Sequence, residues 1–431
     1  MIESPLTLPC GLTLKNRVAK AAMTENMADP IDGDPNERHF RLYERWSNGG
    51  AGLLITGNVM IDRRFLEQAG NVVLDARSNF GAFQEFARRA KSGGAKVIMQ
   101  VSHPGRQSSL FVTRKPVAPS ASAAVKMIAS FAKPRALDAD EIEARIRAFG
   151  IMAAQAEKAG FDGVQIHSAH GYLGSQFLSP LTNLRGDKWG GSLENRARFL
   201  LECIRAVRRE TSPGFAVSVK LNSSDFQRGG FTHEESIEVA RLLDAESIDL
   251  LEISGGNYES PALLLGVDDE RAESTKAREA YFFKYAQGIR QAFKRPLMLT
   301  GGLRSASVMN EVLSNGAVDV IGLARPLAID PDFPAELIAG DPSIVSPVKP
   351  VRFINKQFSA MAEAGYHGAQ LERMGDGKEP DAHLSPFRAT THYLAAQLAG
   401  FVRLMRRPAL SKQLVAETSR SDSRSIQDAA M

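Results

Sequence analysis

Cysteine is scarce in this chain: only Cys10 and Cys203 occur among its 431 residues. Two thiols exclude a disulfide framework, and they exclude a four-thiolate zinc or iron–sulfur site built from this chain alone. Long apolar runs are missing too, since none reaches the roughly 18 residues that cross a membrane. The opening MIESPLTLPCGLTLKNRV lacks the charged segment and apolar run of a secretory signal. We therefore expect a cytoplasmic protein with no membrane partner.

Charge of one sign is not in excess either. The 53 basic and 49 acidic residues leave a net charge of +4, and no basic stripe interleaved with aromatic residues is visible. This distribution gives no reason to expect a nucleic-acid partner. The hydrophobic share of 43% and the charged share of 24% are typical of a globular protein with a sizeable core.

Short apolar, β-branched runs alternate with longer amphipathic stretches along most of the chain. Near-continuous apolar strands, each followed by a helix, indicate an α/β fold with a parallel sheet buried on both faces. Eight such units favour a (β/α)₈ TIM barrel, because the GxGxxG sequence of a doubly wound dinucleotide-binding sheet is missing after the first strand. The predicted strands are 17–23, 52–60, 96–103, 161–167, 215–222, 248–254, 295–302 and 317–325, and the clearest helices are 37–50, 79–94, 138–160 and 192–210.

Two segments do not follow this alternation. Residues 104–137, which are rich in Pro, Ser and Ala, interrupt the unit after the third strand, and we interpret them as a lid that caps the barrel mouth. One barrel domain is therefore expected over residues 1–342. Beyond it, residues 343–431 are expected to form a helical extension, with a helix over 393–407 and a disordered polar tail.

Polar residues stand where the predicted strands end. In a TIM barrel these carboxyl ends meet at one mouth, where catalytic groups lie. The convergence of many polar side chains at this mouth predicts a functional site there. The set comprises Thr24, Asn58, Gln100, His103, His167, His170, Tyr172, Lys220, Asn222, Gly301, Gly302 and Arg325.

The stretch QIHSAHGYL, residues 165–173, has four interpretations. Two histidines three apart could share a metal, but no carboxylate or thiol stands at a usual ligand spacing, so no metal site is expected. A serine triad lacks its GxSxG elbow, whereas a pair of buried structural histidines stays an alternative. The interpretation that we favour is a donor pair, His167 and His170, which grips a carbonyl or phenolate oxygen beside the acid Tyr172.

Other strand-end residues each allow two interpretations. Gly302 and Arg325 could bind a phosphate through backbone N–H groups and a guanidinium, or they could serve a tight turn and a surface ion pair. Gln100 and Lys220 could face the pyrimidine edge and the anionic edge of a flavin. Alternatively, Lys220 pairs with a carboxylate on a neighbouring strand, since a buried lysine needs a partner.

Several of these stretches resemble one family. LKNRVAKAAMT, GLLITGNVM and QVSHPGRQ, and above all GVQIHSAHGYLGSQFLSPLTNLRGDKWGGSLENRARF, are similar to the Old Yellow Enzyme family of FMN-dependent ene-reductases. TGGLRS and GLARPLAIDPDFP extend the similarity, which covers roughly residues 4–340. The resemblance implies a TIM barrel with non-covalent FMN at its carboxyl-terminal mouth.

The resemblance also implies roles for individual residues. Lys220 stands where many members carry Arg, and Glu25 and Asn26 stand where some carry an aromatic, so the flavin potential and the pocket shape stay open. The residues implied to bind the flavin ring are Ala22, Met23, Thr24, Asn58, Gln100 and Lys220; those implied to hold its phosphate are Gly302, Ala324 and Arg325; those implied to bind substrate are His167, His170, Asn26 and Tyr172, with Tyr172 as proton donor.

The activity that the resemblance implies is reduction of the C=C bond of a small α,β-unsaturated carbonyl compound. NADH or NADPH first delivers hydride to FMN and leaves, and the substrate then takes that hydride. An NAD(P)H oxidase, or a dehydrogenase or demethylase on the same FMN barrel, is the alternative that the sequence leaves open. The natural substrate, the preference between NADH and NADPH, and the formation of a homo-oligomer also stay open.

Overall fold

A computed structural model describes residues 1–125, 131–254 and 285–405 of the chain. Its strands are β1 Leu6–Thr7, β2 Thr13–Leu14, β3 Val18–Lys20, β4 Leu53–Met60, β5 Lys96–Ser102, β6 Val117–Ala118, β7 Arg135–Ala136, β8 Gly163–Ser168, β9 Ala216–Asn222, β10 Leu250–Ser254, β11 Leu297–Thr300 and β12 Val320–Leu323. The strands β3, β4, β5, β8, β9, β10, β11 and β12 close, in that order, into a parallel barrel. This closure confirms the predicted (β/α)₈ fold.

The helices lie outside the barrel, and several begin at the polar residues that the sequence places before them. Asn36, Asp138 and Thr232 each accept a backbone N–H from the first helical turn and complete a capping box. The helices are α1 Glu37–Asn48, α2 Phe80–Ala90, α3 Ala139–Lys158, α4 Leu173–Leu178, α5 Leu193–Glu210, α6 His233–Ala245, α7 Ala306–Ser314, α8 Arg325–Ile329, α9 Phe333–Ala339, α10 Lys356–Gly375 and α11 Pro386–Met405. The four clearest predicted helices match α1, α2, α3 and α5 to within a few residues.

Each barrel strand buries both of its faces. Residues such as Val97 and Val217 belong to the large apolar cluster shared with the surrounding helices. The alternate residues Ile98 and Ala216 belong instead to a smaller cluster inside the barrel. Leu14 of the β1–β2 hairpin joins this inner cluster, so the hairpin closes the amino-terminal end of the barrel. The opposite, carboxyl-terminal end therefore holds the polar residues.

An irregularity in β4 shapes this polar end. The pairing of β4 with β5 shifts register between Ile55 and Asn58, so Gly57 lies in a bulge. A Cβ added at Gly57 would collide with the Glu25 carboxylate and the Met23 carbonyl. Only glycine therefore lets the segment after β3 approach the strand this closely.

Two segments lie outside the repeating units, as predicted. Between β5 and α3, residues 104–137 form one turn of 3₁₀ helix at Gly105–Gln107 and the short parallel pair β6–β7, although residues 126–130 lie outside the described part. After residue 342, the chain forms α10 and α11, which pack on each other. The predicted helix 393–407 corresponds to α11, which begins earlier, at Pro386, whereas the predicted tail disorder falls outside the described residues.

Among the described residues, no helix combines the length and the apolar composition that crossing a bilayer requires.

Candidate active site

Three neighbouring strands bring a histidine, a lysine and a glutamate to one level of the barrel interior. His167 on β8 is opposite Lys220 on β9, and Lys220 is opposite Glu252 on β10. The Lys220 ammonium Nζ lies 2.8 Å from Glu252 Oε1, and the two side chains are only 3% and 0% exposed. Lys220 therefore pairs with a carboxylate on a neighbouring strand, which was one of its two predicted arrangements. Glu252 was missed, although a charged residue inside the apolar run IDLLEIS signals a buried pair.

A line of hydrogen-bonded amides continues from Glu252 across the barrel. Gln165 donates from Nε2 to Glu252 Oε2 at 2.8 Å, and Gln100 donates from Nε2 to Gln165 Oε1 at 2.8 Å. Because the carboxylate can only accept, it fixes the orientation of the Gln165 amide and, through it, that of Gln100. The predicted flavin ligands Gln100 and Lys220 thus belong to one connected polar layer.

The two histidines of the QIHSAHGYL stretch lie side by side. The ring centroids of His167 and His170 are 5.4 Å apart at an interplanar angle of 83°. His170 has a left-handed backbone (φ 57°), which a non-glycine residue rarely adopts and which is frequent at functional sites. Its Nε2 lies 2.8 Å from the Ser254 hydroxyl, and its backbone N–H donates to Asn222 Oδ1 at 3.0 Å. These contacts hold the ring beside His167.

Both histidines are neutral near pH 7. Burial lowers the pKa of His167 well below its usual value, and the neighbouring His170 and Lys220 lower it further. The pKa of His170 is likewise well below its usual value, because of burial and then Lys220. His167 Nδ1 accepts the Ala169 backbone N–H at 3.3 Å, which leaves the ring proton on Nε2. Among the described residues, no three His, Cys, Asp or Glu side chains group as metal ligands.

Tyr172 completes this group at the start of α4. Its ring centroid lies 4.4 Å from that of His167, and the side chain is buried. Asn58 Nδ2 lies 3.4 Å from the Tyr172 hydroxyl oxygen, within hydrogen-bond distance. The structure therefore brings all three predicted catalytic side chains together at the barrel mouth.

The segment after β3 forms one lip of the mouth. Ala22, Met23 and Thr24 are partly buried, and the Thr24 hydroxyl donates to Asn58 Oδ1 at 2.8 Å. Asn26 is exposed, has a left-handed backbone (φ 56°), and contacts Gly70 through its own backbone. Among the described residues, no hydrogen bond joins the Asn26 side chain to His167 or His170.

Glu25 has its carboxylate turned away from the mouth. It accepts the Gly57 backbone N–H at 2.9 Å and the Tyr43 hydroxyl, and only 7% of the residue is exposed. Nearby, Lys20 Nζ donates to Tyr43 at 2.9 Å, and burial lowers the pKa of this lysine to about 7. These buried polar residues stabilise the β4 bulge from outside the barrel, so Glu25 does not make the pocket polar.

A second corner of the mouth lies at the ends of β11 and β12. Gly301 and Gly302 both have left-handed backbones (φ 101° and 80°), and a Cβ added at Gly301 would meet no atom within 4 Å. The buried Thr300 hydroxyl has no hydrogen-bond partner among the described residues. The open space at Gly301 and the unsatisfied hydroxyl at the end of β11 are compatible with a phosphate group.

Arg325 lies at this same corner, directly after Ala324. Its Nη1 is 3.0 Å from Glu363 Oε1 of α10, and its side chain is 40% exposed. The predicted surface ion pair is thus present, and a phosphate bound at this corner would share the guanidinium with Glu363. Residues of both predicted cofactor groups, ring and phosphate, lie at the carboxyl-terminal mouth.

A parallel barrel with an open glycine turn, a buried lysine and two neutral histidines at its mouth has the features of a flavin-dependent oxidoreductase. The family model described as "NADH:flavin oxidoreductase / NADH oxidase family" matches residues 3–342. The chain is 36% identical over 351 residues to the NADH-dependent flavin oxidoreductase iliE of Hypocrea jecorina, covering 77% of this chain and 87% of that protein.

Solved structures agree with this family. The 2-naphthoyl-CoA reductase in complex with 2-naphthoyl-CoA matches with a TM-score of 0.75 and 26% identity, over 91% of this chain and 58% of its own. The Old Yellow Enzyme homologue from Zymomonas mobilis matches with a TM-score of 0.67 and 27% identity, over 80% of this chain and 94% of its own. The chain belongs to the NADH:flavin oxidoreductase family of FMN-dependent enzymes that includes Old Yellow Enzyme. The predicted family and its cofactors, FMN and a nicotinamide hydride donor, are therefore confirmed.

Proposed function

We propose that this NADH:flavin oxidoreductase reduces the C=C bond of α,β-unsaturated carbonyl compounds. The observation that carries the proposal is the pair of neutral histidines beside Tyr172 at the barrel mouth. Two neutral imidazoles offer N–H donors without adding charge, and such donors bind a carbonyl oxygen that gains negative charge during a reaction. The 2-naphthoyl-CoA reductase, which the fold resembles, is itself named for a conjugated carbonyl compound.

FMN, when bound, carries hydride from NADH or NADPH to the substrate. In this chain, we assign its ring to Ala22, Met23, Thr24, Asn58, Gln100 and Lys220, and its phosphate to Gly302, Ala324 and Arg325. Lys220 would stabilise negative charge on the reduced ring, although its pairing with Glu252 neutralises part of that effect. The residues therefore fit the cofactor, with a weaker cation than an unpaired arginine would supply.

His167 and His170 hold the substrate oxygen and draw electron density from the conjugated system. The β-carbon becomes electron-poor and accepts hydride, and Tyr172 then gives a proton to the α-carbon. The C=C bond thus gains one hydride at the β-carbon and one proton at the α-carbon. Asn58 Nδ2, 3.4 Å from the Tyr172 oxygen, would stabilise the phenolate that remains.

The 104–137 segment is proposed to cover the mouth. Gln107 donates from Nε2 to the backbone oxygen of His170 at 3.0 Å, and Ser109 N–H donates to the backbone oxygen of Glu67 at 3.3 Å. A segment held at both sides of the mouth would exclude water from the reacting oxygen and thereby strengthen the histidine hydrogen bonds. We assign residues 1–342 to the catalytic barrel and residues 343–431 to a C-terminal extension, which is helical in its described part up to residue 405.

A second candidate function is an NADH oxidase, since the family description includes that activity. In that reaction, molecular oxygen takes the electrons, and neither the histidine pair nor Tyr172 has a carbonyl group to act on. The two functions therefore differ in their dependence on Tyr172.

The test is an anaerobic stopped-flow measurement on enzyme reduced beforehand with one equivalent of NADH. Tyr172→Phe should slow reoxidation by cyclohexenone on the order of a hundredfold, by analogy with the loss of an oxyanion-hole donor. Tyr366→Phe, a matched change on α10, should leave the rate unchanged. Equal reoxidation rates for wild type and Tyr172→Phe with cyclohexenone would exclude Tyr172 as the proton donor.

A further inference from the structure

A cavity of about 300 Å³ lies between the loop after β4 and helix α3. None of the residues assigned above to the flavin or to the substrate lines it. The charged residues of its wall are Asp62, Arg63, Arg64, Asp75, Arg77 and Arg145, and apolar side chains complete the wall. A wall with four arginines and two aspartates favours a negatively charged ligand.

Both aspartates of this wall are engaged by arginines of the loop after β4. Arg63 donates from Nε and Nη2 to the two carboxylate oxygens of Asp75, each at 2.6 Å. Arg64 Nη2 lies 2.7 Å from Asp62 Oδ2. Each carboxylate thus balances the charge of one loop arginine.

Arg145, on α3, is a buried cation that these carboxylates do not balance. It is 7% exposed, and its Nη1 donates to the backbone oxygen of Glu141 at 3.2 Å. Within the described part of the chain, its Nε has no hydrogen-bond partner, and no carboxylate forms an ion pair with it. Burial lowers the pKa of this guanidinium, which means that its lost hydration is not fully compensated.

The sequence offers Arg145 a partner that the fold uses elsewhere. Glu141 stands four residues earlier on the same helix, the usual spacing of a helical ion pair. Its carboxylate instead accepts Nη1 and Nη2 of Arg135 at 2.6 and 2.5 Å, and the Asp138 backbone N–H at 3.1 Å. The side chain of Glu141 therefore caps the start of α3, and Arg145 keeps unused donors at the cavity that it lines.

Two cations converge on one aromatic ring in this wall. The guanidinium carbons of Arg64 and Arg145 lie 5.7 and 5.5 Å from the centroid of the Phe65 ring. An aromatic face attracts a cation but does not neutralise it. Two like charges at one ring repel each other, and an anion bound beside them would offset that repulsion.

We propose that this cavity is a second ligand site, which binds a phosphate group, free or at the end of a small organic molecule, on Arg145 and Arg64. A guanidinium matches both phosphate and carboxylate oxygens. A tetrahedral phosphate presents its oxygens in several directions, so arginines from a loop and from a helix can bind it together, whereas a carboxylate has two oxygens in one plane. The volume lies at the lower end of the range for small-molecule sites.

The experiment is isothermal titration calorimetry on the FMN-bound full-length enzyme, in a chloride buffer of constant ionic strength, with inorganic phosphate and AMP as probes. Arg145→Met keeps a long side chain but removes the charge, so it should weaken binding at least about tenfold, as the loss of a charge-assisted hydrogen bond does. Arg147→Met, a matched change at an exposed position of α3, should leave the affinity unchanged.

The two probes distinguish the sources of the phosphate group. Tighter binding of AMP than of inorganic phosphate, lost in Arg145→Met, would assign the rest of the cavity to the organic part of a phosphate ester. Equal or weaker binding of AMP would assign the site to the phosphate ion itself. Acetate bound as tightly as phosphate would overturn the assignment to phosphate.

Thermal unfolding supplies a second readout. Without ligand, Arg145→Met should unfold at a higher temperature than wild type, because it replaces an unbalanced buried cation by an apolar chain. Phosphate should raise the unfolding temperature of wild type by mass action. Since phosphate also stabilises proteins in general, the smaller rise expected in Arg145→Met is the decisive comparison.

Two results would overturn the site. One is that neither probe binds wild type, and the other is that both bind Arg145→Met as tightly as wild type. A lower unfolding temperature in Arg145→Met together with unchanged probe binding would show that Arg145 serves the packing of α3 alone. None of these measurements uses an enone, so this site and the proposed function stand or fail separately.

Discussion

The two halves of the barrel interior differ sharply, although the same strands build both. Toward the amino-terminal end, inward residues such as Ile98 and Leu250 form an apolar cluster. One step further along these strands, Gln100 and Glu252 also point inward, but they belong to a hydrogen-bonded layer. Both halves are buried, so exposure does not explain the difference. The apolar half contributes stability, whereas the polar half costs desolvation and is retained for the ligand at the mouth.

The buried ion pair gives the largest expected effect. Lys220→Met leaves the Glu252 carboxylate buried without its cation, and removal of one partner from such a pair typically costs about 3–5 kcal/mol. The free energy of unfolding, measured by urea denaturation at a fixed FMN concentration, should fall by that amount. Adding Glu252→Gln should restore most of it. A double variant as unstable as Lys220→Met would show that the polar layer does not depend on charge balance.

Shortening a side chain in the apolar half should lower the stability of the protein and leave its turnover rate unchanged. Ile98→Ala removes buried methyl groups and leaves a cavity, which typically costs about 2–5 kcal/mol. Because Ile98 lies below the polar layer, the turnover rate per FMN-bound molecule should match wild type. A large loss of turnover at full FMN occupancy would break the division between the two halves.

Acid should weaken the fold through its buried histidines. Burial lowers the pKa of His39 to about 4 and that of His103 to about 3, and lowers those of His167 and His170 well below the usual value. Below about pH 6.5 these histidines become protonated in the unfolded chain but stay neutral in the native state. The free energy of unfolding therefore falls as the pH drops toward the histidine pKa values of the folded protein. Each histidine contributes up to about 1.4 kcal/mol per pH unit.

His39→Gln isolates one of these contributions, since His39 lies on α1 away from the mouth. The slope of the unfolding free energy against pH between about 6 and 4.5 should become shallower by roughly 1.4 kcal/mol per pH unit.

In wild type, the rate of reoxidation by an enone should show no titration near pH 6.5, because the histidine pair stays neutral. A rate that falls through a pKa near 6.5 would contradict neutral donors.

The smallest effect is expected at the ends of β11 and β12, where we assign the FMN phosphate. Glu363→Gln removes the carboxylate that shares Arg325, so FMN should bind about two- to fivefold more tightly, consistent with a partly exposed ion pair worth less than about 1 kcal/mol. Fluorescence titration of flavin-free protein measures this affinity. Glu372→Gln, on the same helix but paired with Arg38, should not change it. Weaker FMN binding in Glu363→Gln would mean that Glu363 orients Arg325 instead of competing for it.

The barrel was predictable from the sequence because buried parallel strands leave a repeated apolar signature. The convergence at the mouth followed from strand polarity alone, and the histidines and Tyr172 share one short stretch. The sequence left the partner of Lys220 open between a neighbouring carboxylate and a ligand, because the choice depends on the register of β9 against β10. The hydrogen bond from Asn58 to Glu67 was not predictable, because it arises from the packing of a loop, which no local pattern encodes.

The most direct test of the proposed function follows one substrate to its product. Under anaerobic conditions, the enzyme with FMN, NADH and cyclohexenone should form cyclohexanone in an amount equal to the NADH consumed. An enone that stays unchanged, with NADH consumed only after oxygen is admitted, would contradict enone reduction and favour the oxidase.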